Sequence, residues 1–360
     1  MKPSRIVVHT DCRLFQGDRP CRPHKERGVH CDGCPDYDPV KEKILVIKLG
    51  AVGDVIRTTP LLRRWQSMAP RAQIHWLTHF PEVLPSIVDR GYTMSVQDLE
   101  ILRAMRFDLL VNLDKDREAC ALAKNLHARR KKGFILEDGV CRPIDRSAEH
   151  KWITGLFDDE NRKNTKSYLE EIFEICGTTY AGEEYVLDVF PKNVFDIPRR
   201  KGVVGLNTGC GGRWKTRLWP DAHWIRLIRL LKRRSFSAVL LGGEQEDGKN
   251  RAMARKSGAL YPGHFLLPVF MDLVNRCDLV VTPVTMALHV ALGLKKKVVV
   301  LNNIFNPREF ELFGRGLIVE PEKPCKGCFR GECFDPCMET LLPDTVMAAV
   351  EKVWNASPAE

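Results

Sequence analysis

Residues 43–50 read KILVIKLG, a short apolar run that is rich in β-branched residues and ends at a glycine. Such a run predicts a strand that is buried in a parallel sheet. The chain then passes through AVGD into IRTTPLLRRWQSM (56–68), whose apolar residues follow a helical pattern. Pro60 is expected either to kink this helix or to open its regular part. A buried strand that turns at a glycine into a helix is the repeating unit of an α/β fold.

The same alternation runs through the rest of the chain and restarts once. In the first half, strands are predicted at 73–79, 108–114 and 132–136, and helices at 116–126 and 158–176. A stretch rich in proline and charge, 190–202, is interpreted as a linker. In the second half, strands are predicted at 203–209, 237–243, 278–283 and 297–303, and helices at 221–234 and 344–354, the last with Asp344 as its N-cap. Two α/β halves joined by one linker predict two Rossmann-like domains that face a cleft.

Composition sets the class of protein. The 360 residues are enough for about two domains, and 44% hydrophobic with 28% charged residues excludes a membrane-spanning bundle and a mostly disordered chain. The net charge of +10 points to anionic partners. The N-terminus lacks a signal-peptide pattern and no window approaches the ~20 apolar residues of a membrane helix, so a cytoplasmic protein is expected.

Thirteen cysteines fall into three groups. Five scattered ones are expected to be small core side chains. The other eight form two terminal sets: Cys12, Cys21, Cys31 and Cys34, and Cys325, Cys328, Cys333 and Cys337. Because cytoplasmic thiols stay reduced, each set is a candidate four-thiolate site for structural Zn²⁺ or an iron–sulfur cluster. One mixed site that joins the chain ends, His24 or His30 as further ligands, and unliganded thiols remain open alternatives.

The polar segment 1–42 is predicted to be a Cys-rich extension. It has no helical or strand periodicity and too few apolar residues to form a core, so a metal or docking must order it. The domains are therefore predicted as this extension, 43–195 and 202–360.

Four segments carry the candidate chemistry. In KLGAVGD (48–54), Asp54 stands at a helix start, where it is either a cap or a functional carboxylate. NTGCGGRWKTRLWP (207–220) puts glycines and cations between a strand and a helix, which favours a phosphate site. GGEQED (242–247) offers a carboxylate for ribose hydroxyls after a strand, and TPVTMALHVALGL (282–294) places Thr285 as an N-cap four residues before His289.

Taken in this order, the four segments resemble glycosyltransferase family nine, the ADP-heptose:lipopolysaccharide heptosyltransferases. KLGAVGDVIRTTPLL is similar to the family's first strand, loop and helix, NTGCGGRWKTRLWP to its donor-phosphate loop, and LLGGEQED to its ribose loop. VTMALHVALGLKKKVVVL resembles its Asp-Thr-Gly-x-x-His segment, and FNPREFELFGRG follows as the family pattern leads one to expect. The resemblance extends from residue 43 to about residue 354.

The resemblance implies a GT-B fold with an N-terminal acceptor domain and a C-terminal nucleotide-sugar domain. It implies inverting glycosyl transfer that needs no metal, with Asp54 as the general base. The acceptor-side residues it implies are Gly50, Gly53 and Arg57. The donor-binding residues it implies are Thr208, Gly209, Gly212, Arg213, Arg217, Glu244, Thr285, Met286 and His289. The implied partners are an ADP-heptose-like donor and a lipid-linked glycan acceptor.

This chain departs from the family pattern in the donor loop. Val284 stands where an acidic residue is expected, Met286 where a glycine is expected, and Arg217 where the family has a lysine. These departures motivate an alternative hypothesis, a metal- or redox-responsive protein that binds a nucleotide sugar without catalysis. An NAD-type oxidoreductase is disfavoured because neither half carries G-x-G-x-x-G after its first strand.

Two cationic runs, 129–132 and Arg63 with Arg64, could face anionic lipid at the inner face of the inner membrane. A solvated surface is the alternative for each run. No recognition helix or aromatic–basic module points to nucleic acid.

Overall fold

The computed structural model describes residues 6–189, 193–212, 214–323 and 327–356. The chain divides into two compact units, each made of several segments. The first comprises residues 1–48, 61–79 and 86–144, and the second comprises residues 49–60, 80–85 and 145–360. The units therefore differ from the predicted ranges 43–195 and 202–360, since residues 145–195 and two short segments join the second unit.

The strands form two sheets. In chain order they are β1 (Glu42–Ile47), β2 (Ala72–Leu77), β3 (Arg90–Tyr92), β4 (Arg106–Asn112), β5 (His127–Glu137), β6 (Val140–Pro143), β7 (Val203–Asn207), β8 (Ser237–Leu241), β9 (Leu279–Pro283), β10 (Lys297–Leu301) and β11 (Gly316–Val319). The first unit holds a six-stranded sheet of order β3-β2-β1-β4-β5-β6, in which only the β5–β6 pair is antiparallel. The second unit holds a five-stranded parallel sheet of order β11-β10-β9-β7-β8.

Helices connect these strands. In chain order they are α1 (Arg22–Arg27), α2 (Val52–Ile56), α3 (Pro60–Met68), α4 (Val96–Ala104), α5 (Arg117–Asn125), α6 (Glu149–Leu156), α7 (Asp158–Lys163), α8 (Tyr168–Ile175), α9 (Asp221–Arg233), α10 (Asp247–Ser257), α11 (Leu267–Asn275), α12 (Met286–Gly293) and α13 (Pro343–Asn355). No helix in the described ranges is both long and apolar enough to cross a bilayer.

The predicted α/β class and its two parallel sheets are confirmed. All eight strands predicted from apolar runs are present, the buried runs of β1 and β7 among them. The core of the second unit is built from β7 and β9 packed against α9 and α13, with Trp219 and Trp224 stacked edge to face at 4.8 Å between ring centroids. Pro60 opens α3, as one of the two interpretations expected.

Two helix predictions are wrong in detail. The single helix expected over 158–176 is broken into α7 and α8, because the Asn164 side chain accepts from the Lys166 amide at 2.9 Å and forms a local turn. Ser167 and Glu170 then form a capping box that starts α8 afresh. At the C-terminus, Leu342 rather than Asp344 is the N-cap of α13, and the Asp344 carboxylate accepts from Arg226 at 2.8 Å instead.

Side-chain hydrogen bonds explain why residues 145–189 belong to the second unit. Asn306 donates to the carbonyls of Asn161 and Asn164 at 2.7 and 2.8 Å, which ties α7 to the loop after β10. The Thr59 hydroxyl accepts from the Val186 amide at 2.8 Å, which ties the segment after α8 to the end of α2.

Candidate functional site

Two helices of the second unit meet at a glycine. α2 contributes Gly53, and α12 contributes His289, which is only 5% exposed. A methyl group on Gly53 would lie 2.6 Å from Cδ2 of His289, far inside van der Waals contact. Only glycine lets α2 approach α12 this closely, and the approach places Asp54, the next residue, beside the His289 ring.

Asp54 lies in the first turn of α2, as predicted, and its side chain is 39% exposed. The N-cap is Ala51, so Asp54 does not serve as the cap of this helix. Its carboxylate lies 3.6 Å from the guanidinium of Arg57, one turn further on. The carboxylate is therefore reachable from solvent and oriented by a neighbouring cation.

Arg57 is buried, with 7% of its surface exposed. Its guanidinium carbon lies 3.7 Å from the centroid of the Tyr168 ring, and Nη2 donates to the Glu309 carbonyl at 3.1 Å. Burial alone would lower the pKa of Arg57, but Tyr185, Asp54, Tyr168 and Glu309 outweigh it and the pKa is raised. Arg57 therefore stays charged next to Asp54.

His289 is neutral at physiological pH. Burial, together with the nearby charge of Arg57, lowers the pKa of His289 from 6.5 to about 3. Its Nδ1 lies 3.4 Å from the hydroxyl of Tyr185, which is itself buried. One ring nitrogen of a neutral imidazole donates and the other accepts, so His289 adds a polar group without adding charge.

The donor loop predicted at 207–212 is held to the start of α12 by Asn207. Its side-chain amide donates to the carbonyl of Gly209 at 3.1 Å and to the hydroxyls of Thr282 and Thr285 at 3.0 and 3.1 Å. Thr285 is the N-cap residue of α12, as predicted. Four residues of α-helix rise about 6 Å, so this cluster and the contact between His289 and Gly53 are about one turn apart on one helix.

Thr208 and Gly209 lie against α10 and the turn before it. The Thr208 hydroxyl donates to Asn250 at 2.6 Å, and the Thr208 carbonyl accepts from the Lys249 ammonium at 2.9 Å. A methyl group on Gly209 would lie 2.3 Å from Cδ of Glu246, so the loop needs glycine at this position. Lys249 therefore brings a cation to this loop.

Arg217 lies in the 3₁₀ turn Lys215–Arg217 and is 8% exposed. Its guanidinium donates to the carbonyls of Cys210 and Val284, and Nε donates to the carbonyl of Trp214 at 3.4 Å. Burial lowers its pKa. In this arrangement Arg217 joins the 207–217 loop to the residue before Thr285, and these bonds use three of the five N–H donors of its guanidinium.

The acidic loop after β8 presents two carboxylates in different ways. Glu244 is exposed at the start of the 3₁₀ turn Glu244–Glu246. Glu246 points back, and its carboxylate accepts from the Gly243 amide at 2.9 Å beside Gly209. The structure therefore brings Glu246, which sequence reasoning did not single out, to the glycine loop.

The other predicted residues have plainer surroundings. Gly50 is half-buried, with the Phe80 ring 3.2 Å from where its Cβ would lie. Gly212 is exposed and has open space around it. Met286 is half-buried in the first turn of α12. Arg213 lies outside the described residues.

The cysteine sets are placed differently. Cys12, Cys21, Cys31 and Cys34 are free thiols that line one cavity of about 240 Å³ in the N-terminal extension. Of the C-terminal set, Cys325 lies outside the described residues, Cys328 is half-buried, Cys333 is exposed, and Cys337 is buried and accepts from Asn303 at 3.3 Å. Within the described ranges, no three His, Cys, Asp or Glu side chains are already arranged to hold a metal ion.

Sequence reasoning missed Asn207, Glu246 and the two tyrosines around Arg57. Asn207 ends a buried strand, and a buried polar residue there needs partners, which is a signal that could have found it. Tyr168 and Tyr185 gave no signal, because the residues they meet, Arg57 and His289, lie more than 100 positions away in the sequence.

A model of the family described as glycosyltransferase family 9 (heptosyltransferase) matches residues 162–338. None of the curated proteins matches the sequence.

Solved structures share the fold. A glycosyltransferase family 9 protein from Veillonella parvula is 17% identical, with a TM-score of 0.67, and the alignment covers 88% of this chain and 98% of that one. The E. coli heptosyltransferase WaaC with ADP-2-deoxy-2-fluoro heptose is 16% identical, with a TM-score of 0.60 and coverage of 86% and 99%. The iron-containing dodecameric glycosyltransferase TibC from enterotoxigenic E. coli is 14% identical, with a TM-score of 0.54 and coverage of 88% and 76%.

Proposed function

We propose, from the premise that this chain is a glycosyltransferase of the family 9 type, that it moves a heptose or a related sugar from an ADP-sugar to a lipopolysaccharide-core or similar glycan. The transfer inverts the anomeric carbon and uses no metal in the chemical step. The observation that supports the proposal is the contact between Gly53 of α2 and His289 of α12, because His289 lies about one helical turn from Thr285, which Asn207 ties to the glycine loop.

Asp54 is the general base. A carboxylate that solvent can reach on one side and that Arg57 orients at 3.6 Å can accept the proton of an acceptor hydroxyl. The hydroxyl oxygen then forms a bond to the anomeric carbon while the bond to the diphosphate oxygen breaks. A single displacement of this kind inverts the anomeric configuration.

The leaving ADP gains negative charge in the transition state, and positive dipoles and cations stabilise it. The amides of the 208–212 loop and the start of α12 supply dipoles, because Asn207 fixes both in one place. Lys249, which reaches the carbonyl of Thr208 at 2.9 Å, supplies a cation to this loop. Arg217 contributes by holding the loop, and the N–H groups that its three main-chain bonds leave are the donors it offers to a phosphate oxygen.

The ribose of the donor is held by the acidic loop. Glu244 is exposed and free to reach a sugar hydroxyl, whereas Glu246 supports the glycine loop from behind. The neutral His289 donates or accepts a hydrogen bond near the reacting groups without competing with Asp54 for the proton.

The acceptor side and the location of the protein complete the proposal. A lipid-linked glycan places the reaction in the cytoplasm at the inner face of the inner membrane. Arg129 and Arg130 on β5 are exposed and suit anionic lipid headgroups or acceptor phosphates. The C-terminal cysteine set is also proposed to hold structural Zn²⁺ or an iron–sulfur cluster, separate from the transfer itself.

The test measures ADP release from ADP-heptose in the presence of a lipid A–inner-core acceptor. The anomeric configuration of the product is then determined. Asp54→Asn should lower turnover by about 10²–10⁴-fold, the usual contribution of a general base. Asp158→Asn is the matched control, because Asp158 is also a first-turn carboxylate and lies exposed on α7. Full activity of Asp54→Asn would remove Asp54 from this role, and a retained configuration would contradict the single displacement.

The bonds of Arg217 to main-chain carbonyls favour a second candidate, a nucleotide-sugar-binding protein without turnover. Calorimetry distinguishes the two. Binding of ADP-heptose without ADP release over a range of glycan acceptors would support the binding protein, and turnover would exclude it.

A further inference from the structure

The N-terminal extension contains a cavity that the proposed transfer does not use. It measures about 240 Å³ and is lined by the four thiols Cys12, Cys21, Cys31 and Cys34 together with His24 and His30. Within the described part of the extension these are all of the cysteines, and none of them forms a disulfide. Four thiols that come from 23 residues of sequence thus converge on one space.

Each of the four cysteines begins a turn. The carbonyls of Cys12, Cys31 and Cys34 accept from the amides of Phe15, Cys34 and Tyr37 at 2.9, 3.2 and 3.2 Å. The carbonyl of Cys21, the N-cap residue of α1, accepts from the amide of Lys25 at 3.0 Å. Turns that start at a cysteine are how short metal-binding loops bring two thiolates to one ion.

Two glycines shape the backbone between these cysteines. Gly33, between Cys31 and Cys34, has φ of +69°, and Gly28, which ends α1, has φ of +68°. Open space surrounds the position of a Cβ at both, so the backbone conformation rather than crowding calls for glycine. The fold thus keeps the Cys31-x-x-Cys34 loop tight.

The two histidines are oriented by their neighbours. His24 Nδ1 lies 3.0 Å from the carbonyl of Val29, and a carbonyl can only accept, so Nδ1 carries the proton. Nε2 of His24 is then an acceptor and a competent metal ligand. The rings of His24 and His30 pack edge to face at 5.4 Å between centroids.

The extension is fixed to the first unit from outside the cavity. Arg13 donates to Asp89 at 2.8 Å, and the Lys41 amide donates to the carbonyl of Arg71 at 3.0 Å. The only regular element in residues 6–41 is α1, with six residues, too little to form a core. Contacts with the rest of the first unit therefore hold the ends of the extension. The thiol-lined segment between them needs a further interaction to fix its conformation.

We propose that the extension is a zinc module in which Cys12, Cys21, Cys31 and Cys34 bind one Zn²⁺ ion tetrahedrally. The thiols lose their protons on binding. The turns that begin at the four cysteines draw together around the ion, because the side chains of the described residues do not yet form a complete metal site. His24 is an alternative ligand, which would bind the ion through Nε2. Four ligands fill the coordination sphere, so the role of the ion is to order the extension.

The test is metal analysis of the full chain purified without added metal. The double variant Cys31→Ser/Cys34→Ser should lose one equivalent of zinc per chain relative to the parent. The double variant Cys141→Ser/Cys176→Ser, which removes two partly exposed thiols outside the extension, should lose none. Equal zinc in the parent and in Cys31→Ser/Cys34→Ser would overturn the proposal, as would iron with acid-labile sulfide lost from that variant in place of zinc.

A second readout follows the order of the extension. The trypsin sites after Lys25 and Arg27 should be protected in the parent and cleaved after a zinc chelator is added, while residues 43–360 stay intact. Added Zn²⁺ should restore protection in the parent and leave Cys31→Ser/Cys34→Ser sensitive. Protection that a chelator does not change would show that docking alone orders the segment and would contradict the zinc module.

Discussion

Substituting Gly53 by alanine tests the packing on which the candidate site depends. The backbone of Gly53 is not left-handed, so alanine meets no conformational obstacle there. The obstacle is the imidazole of His289, whose Cδ2 would lie 2.6 Å from the new methyl group. Carbon atoms pack at about 3.5–4.0 Å, so α2 and α12 must separate by roughly 1 Å.

The magnitude follows from a matched control. Gly248, on α10, has no atom near the position of a Cβ, and alanine there should stabilise the helix by about 0.5–1 kcal/mol. Alanine at Gly53 gains the same helix propensity but loses about 1–3 kcal/mol by overpacking. The difference between the two variants therefore isolates the contact, and it corresponds to about 2–12 °C in Tm for a unit of this size.

The assays are thermal unfolding and ADP release. Gly53→Ala should melt below Gly248→Ala and should also release ADP more slowly, because the same separation moves Asp54. Adding His289→Ala removes the ring, so the cost of Gly53→Ala should fall in that background. Equal Tm values for the two alanine variants, or a cost that does not depend on His289, would refute the packing argument.

Three further outcomes are expected. Arg57→Lys keeps the charge but not the planar stack on Tyr168, so kcat should fall at least tenfold with KM little changed, whereas an unchanged kcat would show that Arg57 does not orient Asp54. Glu244→Gln should weaken ADP binding, measured by calorimetry, without a change in Tm. Glu246→Gln should both weaken ADP binding and lower Tm in melting curves, because its carboxylate accepts from the Gly243 amide. Folded His289 has a pKa of about 3 against 6.5 when unfolded, so unfolding takes up a proton below pH 6.5, and this group lowers stability toward pH 3 by at most about 1.4 kcal/mol per pH unit. His289→Asn should therefore reduce the pH dependence of denaturant midpoints between pH 7 and 5, leaving the part due to buried His75, whose pKa burial also lowers to about 3, while exposed His127→Gln should leave that dependence unchanged.

The sequence predicted the parallel strands well because their signal is local. A buried run such as 297–301 needs only its own residues to be recognised. The short strands β3, β6 and β11 were missed because none of them carries a continuous buried run. The break between α7 and α8 was missed because residues 158–167 are all polar and carry no apolar spacing that could show where one helix ends, while the Asn164 side chain forms a turn.

The sequence predicted which loops form the candidate site, but it did not predict which side chains of these loops contact one another. Glycines 209 and 53 marked close approaches, but only the fold identifies Glu246 and His289 as what they approach. The location of Arg217 could be predicted, yet its bonds to the carbonyls of Cys210 and Val284 depend on how two loops pack. Long-range partners of this kind have no counterpart in residue spacing.

The segmented makeup of the two units limits how the protein can be divided. The chain passes from one unit to the other five times, and α2 with Asp54 is an early segment of the later unit. A fragment that starts at residue 202 would keep the 207–217 loop but lack Asp54, and His289 would lose the helix that packs on it. During synthesis, a chain of 195 residues likewise does not yet contain α12, on which α2 packs. Neither half can therefore be replaced as one contiguous segment by the corresponding half of a related protein. Exchange of specificity between related proteins should be attempted one loop at a time.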